Sequence, residues 1–396
     1  MARTYRVISG DSHLEISPER WRGHVDPKYR DRAPRLVKLA TGGDATLVEG
    51  RGLSVLGLAV TGIPYDQYKP TGVTYEGGHG TGSPQQRIAE QDQDGIDAEV
   101  IFTGPGNIGV WRGIRDDVTF AAVVHGYNRF LAEEYCAAAP DRLLAMAVLP
   151  ASGVDDAIRE MEYCKRAGLK GVMLGSFPSG RGVPTPDDDR FWAAAIDLDM
   201  PLTVHVRFIG DERPVFAYPR RPAEVESFGV DPVFNLVRFA GEQCLNAMQM
   251  VMAGVFDRYP RLRIYWAETM IGWIPYFLTQ LGDNWARTRH WAERFYGLEA
   301  PRRDPGEYLL ENCWWGFLRD PFGVEMRHRL GIEHLMWGND FPHSAGDWPH
   351  SQKVVDDMFA GVPDAERQKM VARNAVEYFK LESAVEQAAP GAIRTA

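Results

Sequence analysis

The feature that most constrains this chain is a repeated form. A short apolar run, rich in β-branched or aromatic residues, is followed by a stretch of helical spacing, about eight times over. The runs are Tyr5–Ser9, Ala98–Thr103, Leu143–Leu149, Gly171–Leu174, Pro201–Val206, Leu262–Ala267, Cys313–Phe317 and His334–Gly338. Helical stretches include Val118–Ala139, Asp155–Ala167, Pro232–Phe256 and Gly272–Phe295, the second opening on acidic residues as helix N-termini prefer. Such alternation predicts an α/β protein built as a distorted (β/α)8 barrel of the TIM type. The rival architecture, a doubly wound open sheet, normally carries a Gly-rich phosphate loop after its first strand. Here that place reads Gly10-Asp11-Ser12-His13, which suits a cation better than a phosphate.

One segment breaks the rhythm. Residues 27–83 show little helical pattern and many glycines, with Arg35–Leu39 and Ala45–Val48 flanking a hairpin turn at Thr41-Gly42-Gly43-Asp44. A long irregular excursion after the first strand reads as an insertion covering the barrel mouth. A second excursion, Gly210–Val230, is rich in Pro, Arg and Phe and reads as a further wall of the pocket. The expected organisation is one barrel domain over residues 1–383, with 27–83 as its lid and 384–396 as a disordered tail.

Composition narrows the partners. With 396 residues, 44% of them hydrophobic, the chain has material for one large core, and its net charge of -10 repels phosphates, so no nucleic-acid partner is expected. Cys136, Cys164, Cys244 and Cys313 are scattered and form no CxxC pair, which predicts small buried apolar residues rather than disulfides or a thiolate zinc site. No run approaches the roughly 18 apolar residues of a membrane helix, and the N-terminal residues lack the apolar core of a signal peptide. A cytoplasmic protein without a membrane partner is expected. Its long amphipathic helices leave apolar residues for a homodimer or larger homo-oligomer.

Four places carry candidate chemistry, each at the C-terminal end of a proposed strand, where barrel enzymes put their active sites. Asp11 and His13 stand two apart, which on a strand points both to one face; the plain alternative is a turn aspartate beside a surface histidine. His205 closes an apolar strand, as either a ligand or a packed core residue. Glu268 follows another, where burial without a partner is costly; the bland alternative is a residue near the next helix N-terminus. Asp340 ends the last strand in Trp337-Gly338-Asn339-Asp340-Phe341-Pro342-His343, with His343 on the loop beyond, and the plain alternative for Asp340 is a helix cap. Carboxylates and imidazoles recurring at equivalent rim positions form an N/O donor set for a divalent cation. Arg207 and Trp315 are candidate substrate contacts, and Trp314 is a candidate pocket residue or a core tryptophan. His125 lies within a helix and reads as structural, whereas His79, His350, Tyr65 and Tyr68 are placed near the lid or metal loop without a discriminating signal.

From Ile8 to about Leu381 the chain resembles the amidohydrolase-related metal enzymes that include the aminocarboxymuconate-semialdehyde and resorcylate-type decarboxylases. The resemblance rests on Gly-Asp-Ser-His-Leu at 10–14, Trp-Ile-Pro-Tyr at 273–276 and Trp-Gly-Asn-Asp-Phe-Pro-His at 337–343. It implies a distorted (β/α)8 barrel, with Asp11, His13, His205 and Asp340 as metal ligands. Three departures stand out. Asp11 occupies the place of the family's usual His or Glu, giving a shorter ligand and a site that favours a harder ion. Glu268 stands where the family commonly has a histidine, and His343 where a close decarboxylase would carry Phe.

The functional expectation is a metal-dependent hydrolase or nonoxidative decarboxylase of a small aromatic or carboxylate-bearing substrate. It would work through a metal-activated water or a metal-polarised oxygen, with Glu268 and Asp340 as catalytic groups. Zn or Mn suits one metal per chain. The alternative is a nonheme di-iron monooxygenase in which Glu268 and His343 complete a second metal position. A non-catalytic binding protein on the same scaffold is the third reading.

Overall fold

The computed structural model describes residues 3–40, 42–49, 52–57, 59–69, 72–104, 111–208, 244–299 and 301–382. Strand β1 (Ile8–Leu14) is buried along its whole length. The chain then makes a small antiparallel sheet, β2 (Arg35–Lys38), β3 (Asp44–Val48) and β4 (Gly52–Val55), in which Lys38 pairs with Asp44 across the expected hairpin. The remaining strands are β5 (Ala98–Thr103), β6 (Leu143–Ala145), β7 (Ala147–Val148), β8 (Val172–Met173), β9 (Leu202–His205), β10 (Ile264–Ala267), β11 (Cys313–Phe317) and β12 (Leu335–Trp337).

Apart from β2–β4, every strand pairing among the described residues is parallel. One run goes β1–β5–β6 and the other β7–β8–β9–β10–β11–β12. The two join at Met146, where the chain changes partners: Met146 N donates to Ile101 O at 2.8 Å and Ala147 N to Gly171 O at 3.0 Å. The ring closes between its last and first strands. There Ser12 bridges Phe341, Asp340 N donates to Asp11 O at 2.9 Å and His13 N to Phe341 O at 2.6 Å. This is the predicted TIM-type barrel.

The elements differ from expectation in three informative places. The first strand lies at Ile8–Leu14, not Tyr5–Ser9, so the polar Gly-Asp-Ser-His sequence sits inside the strand. Apolar patterning misplaces it because this strand faces a polar site. The expected helix Pro232–Phe256 is described only from residue 244, and there it is two helices, Leu245–Met252 and Val255–Arg258. Gly254 divides them by adopting φ +66°, which a helix cannot accommodate. The expected helix Val118–Ala139 is regular over Asp117–Phe130 and then widens and tightens in successive turns to Ala138. Two other helices match closely: Val154–Arg166, and Ile274–Tyr296 with Pro275 in its first turn and Gly297 left-handed at its end.

The four cysteines are buried and unpaired. No described helix is long and apolar enough to cross a membrane. The excursion 210–230 and the tail 384–396 lie outside the described residues.

Candidate metal centre at the barrel rim

A slip in the β1–β5 register between Ser9 and Ser12 places an irregularity at Gly10-Asp11. Asp11 and His13 are both fully buried, and His13 Nε2 lies 3.6 Å from Asp11 Oδ1. Across the barrel, His205 ends β9 in register with Ala267, the last residue of β10, and Glu268 follows directly. His205 Nε2 stands 3.1 Å from His13 Nε2, 3.5 Å from Asp11 Oδ1 and 3.3 Å from Glu268 Oε2. Asp340 arrives from the end of β12, with Oδ1 3.0 Å from His13 Nε2. Asp11, His13, His205 and Glu268 thus place donor atoms within 4.8 Å of one another, as do His13, Asp340 and His343. The six candidate ligands come together, and none is more than 8% exposed.

Backbone strain concentrates here. Val206, Glu268, Met270 and Asp340 all have φ between +54° and +57° or, for Asp340, +52°. A β-branched residue such as Val206 is particularly disfavoured there, and strain of this kind gathers at functional sites. Glu268 and Asp340 are not helix caps. The helix after Glu268 begins only at Ile274, and Asp320 Oδ2 accepts from Ile271 N and Gly272 N, both at 2.7 Å, ahead of it.

The electrostatics are unbalanced without a cation. Both carboxylate oxygens of Asp11 and Nδ1 of His13 are buried with no hydrogen-bond partner. Burial raises the Asp11 carboxyl above its ordinary range, and burial together with the charge of His343 holds His13 well below its own. His343 behaves oppositely. Burial disfavours its charged form, but the Asp340 carboxylate and hydrogen bonds to Asp340 and Glu15 outweigh this and lift it to about 9. Asp340 is pulled well down: burial opposes, but His343 and His13 prevail.

Glu15 is the site residue that sequence reasoning missed. Its Oε1 lies 3.0 Å from His343 Nε2, while Asp340 Oδ1 is 3.1 Å from His343 Nδ1. The signal was available, since Asp11, His13 and Glu15 continue one alternation. His343 also stacks on His13, with ring centroids 3.8 Å apart.

A family model described as Amidohydrolase matches residues 11–381. The chain belongs to the amidohydrolase family. This amidohydrolase is 26% identical over 316 residues to the gamma-resorcylate decarboxylase of a Rhizobium species, covering 75% of this chain and 87% of the relative. It is 22% identical over 302 residues to the 2-amino-3-carboxymuconate-6-semialdehyde decarboxylase of Dictyostelium discoideum, covering 76% and 77% of the two chains. Among solved structures, an amidohydrolase from Mycobacterium avium subsp. paratuberculosis superposes with a TM-score of 0.72 at 20% identity, covering 96% of this chain and 98% of that one. The 5-carboxyvanillate decarboxylase of Novosphingobium aromaticivorans, solved with manganese and a nitrobenzoic acid, superposes at 0.66 and 17% identity, covering 95% and 96%.

Other candidates fall elsewhere in this amidohydrolase. Trp315 is not brought to the site. It is fully buried, its indole donates to Leu309 O at 3.1 Å, and it packs with Trp266 and Trp273 between barrel and helices. Both faces of a barrel strand are buried, so alternation alone does not say which is inside. Trp314 faces the other way but sits with His334 and Tyr378, away from the rim. Phe102 takes the lining role instead, its ring 5.2 Å from that of His205 and 6.3 Å from that of His13. Arg207 follows the strained Val206, its backbone N–H donating to His205 O at 2.7 Å. His125 pairs with Glu160 at 2.9 Å between two helices, as the structural reading expects. His79 faces Glu90 and Trp348, while Tyr65, Tyr68 and His350 line a separate groove beside Trp348.

Proposed function

We propose that this amidohydrolase is a divalent-cation-dependent, nonoxidative decarboxylase of a small aromatic carboxylate. The observation that carries the reading is the buried convergence of Asp11, His13, His205, Glu268 and Asp340, whose donor atoms crowd together while both Asp11 carboxylate oxygens accept no hydrogen bond. Buried carboxylates with so little compensating charge fit a cation. The mixed N/O donor set suits Mn or Zn, and the manganese in the carboxyvanillate enzyme supports the former. Asp11, His13, His205 and Asp340 would hold the ion, which supplies Lewis acidity toward a substrate oxygen when bound.

The side chains supply the proton chemistry. Loss of CO2 from an aromatic ring needs a proton delivered to the carbon that bears the carboxylate. The C–C bond then breaks, its electron pair returns to the ring, and CO2 departs, with no oxidant required. Asp340 is held ionised, so the proton originates on the protonated His343, whose Nδ1 lies 3.1 Å behind it, and Asp340 relays it to the ring carbon. Glu268, beside His205, is the second proton-handling carboxylate. Phe102 gives the ring an apolar wall, Arg207 orients the carboxylate, and residues 27–83 close over the mouth. Support for that lid comes from Val60 N and Thr61 N, which donate to Pro342 O at 3.1 and 3.0 Å, one residue before His343.

The test is elemental analysis of protein purified without added metal, followed by CO2 release from hydroxylated benzoates such as 2,6-dihydroxybenzoate, the ligand of one solved relative, with oxygen excluded. About one Mn or Zn per chain and oxygen-independent CO2 release are expected. Product formation by hydrolysis of esters or amides, with no CO2 from any benzoate, would move the protein to the hydrolases of its family. A di-iron oxygenase, to which the second donor cluster of His13, Asp340 and His343 would belong, is not the favoured reading. Two irons per chain and oxygen uptake would establish it, although both ring nitrogens of His343 already face carboxylates.

A further inference from the structure

Arg87 lies in the helix Pro84–Asp94 and is 1% exposed. A guanidinium keeps its charge in proteins, so burying it demands a partner. Glu99 provides one, accepting from Arg87 Nε at 2.6 Å and from Gln91 Nε2 at 2.8 Å. Glu99 is on β5, opposite in alternation to Phe102, which faces the site.

The rest of the fork does something that an ion pair does not require. Arg87 Nη1 donates to the backbone carbonyl of His13 at 2.8 Å. Nη2 faces the carbonyl of Phe341 at 3.5 Å, and the guanidinium lies 4.5 Å over the Phe341 ring. One rigid planar group therefore touches two chain segments, one carrying His13 and the other carrying Asp340 next to Phe341. Those side chains meet at 3.0 Å inside the barrel. Among the described residues, the segments that bear them are joined along the backbone at the Ser12–Phe341 bridge, with His13 N donating to Phe341 O and Asp340 N to Asp11 O.

We propose that Arg87 is a positioning residue that fixes the register between His13 and Asp340 from behind, and so sets the geometry of the cation site. The proposal rests on the reading that these residues hold a cation. It requires Arg rather than Lys, because only a planar fork reaches a carboxylate and two carbonyls together.

The experiment compares the parent with R87K and with the double variant R87M/E99Q, which removes the buried pair without stranding a charge. Mn2+ affinity is measured by competition with a chelator, the site geometry by the visible spectrum of the Co2+-loaded protein, and stability by melting in excess chelator. Both variants should melt within a few degrees of the parent in chelator. Both should bind Mn2+ at least about tenfold more weakly, the usual cost of losing an outer-sphere partner, with an altered Co2+ spectrum. Unchanged affinity and spectrum overturn the proposal, as does an affinity loss that merely follows a loss of melting temperature. Failure of R87K to fold also overturns it, by making Arg87 a stability residue. A parent that binds neither ion refutes the cation site itself, an outcome distinct from parent-like variants.

Discussion

The two sides of the site are built differently. On one side, β9 and β10 pair without interruption from Leu202–Ile264 to His205–Ala267, so backbone hydrogen bonds alone set where His205 and Glu268 emerge. On the other, β1 slips in register, β12 stops at Trp337, and Asp11, His13 and Asp340 face one another across a seam with a single bridge. Side chains supplement a short ladder there, which has backbone bonds from Asp340 N to Asp11 O and from His13 N to Phe341 O. Ser9 Oγ lies 2.7 Å from Asp11 O and 2.8 Å from Asn339 Oδ1, and it accepts from Asn339 N at 3.0 Å. Asn339 Nδ2 in turn donates to Asp94 at 3.3 Å. A ladder tolerates substitution because its bonds are independent of side-chain identity. A seam held by a few polar groups does not, so damage there should reach the cation before it reaches the fold.

The largest effect expected is at Asp11. Asp11→Asn keeps the shape and removes a buried carboxylate whose oxygens accept no hydrogen bond. Cation affinity and turnover should fall by more than about 100-fold, beyond the cost of losing an outer partner, while the chelator-treated protein melts no lower than the parent. Isothermal titration with Mn2+ and melting in chelator check both halves. Parent-like affinity in this variant would remove Asp11 from the ligand set.

The next effect is a pH dependence that belongs to the seam. In chelator-treated protein His343 titrates at about 9, against about 6.5 for a free histidine. The folded form therefore holds the proton more tightly than the unfolded form. Its stabilisation is complete below pH 6.5 and is lost as pH rises through 9, amounting to about 3 kcal/mol. Urea unfolding at pH 6 and pH 9.5 should show this difference in the parent and not in His343→Gln. Equal slopes in the two proteins would mean that Asp340 and Glu15 do not hold a charged imidazole.

Much of this division was legible in the sequence. Ala98–Thr103 and Cys313–Phe317 are strands at the expected residues, because regular strands inside a barrel read as apolar runs. The six candidate ligands gather because Asp11 and His13 lie in the last four residues of β1, His205 closes β9, and Glu268, Asp340 and His343 follow strands closely. The seam was harder to read. The polar residues of β1 hid its true start, and Arg87 touches the carbonyl of a residue 74 positions away, a contact set by how a helix lies against a strand. Ser9 and Asn339 look like ordinary turn residues until the barrel closes and brings them together across 330 positions.

Asn339→Ala tests the seam at its polar clamp. It removes the acceptor for Ser9 and for Phe341 N and the donor to Asp94. Mn2+ affinity should drop about 10- to 100-fold, read by chelator competition. If stability falls and affinity does not, the clamp supports the fold alone.

The smallest effect makes the cleanest comparison, because two glycines are equally crowded in different places. A Cβ on Gly338 would stand 2.6 Å from Asp11 Cβ and 2.7 Å from Asp11 N, and one on Gly126 would stand 2.5 Å from Val25 Cγ2 and 2.7 Å from Val25 Cα. Each Gly→Ala change therefore pushes against backbone and should cost about 1–3 kcal/mol through overpacking. Only Gly338→Ala forces the seam apart at Asp11, so it alone should also weaken Mn2+ binding, by severalfold to about tenfold. Gly126→Ala wedges a helix away from the segment around Val25 and should leave affinity at the parent value while lowering the melting temperature. Equal affinity losses in both would show that the cation site responds to overall stability, and the contrast between ladder and seam would then have no functional content.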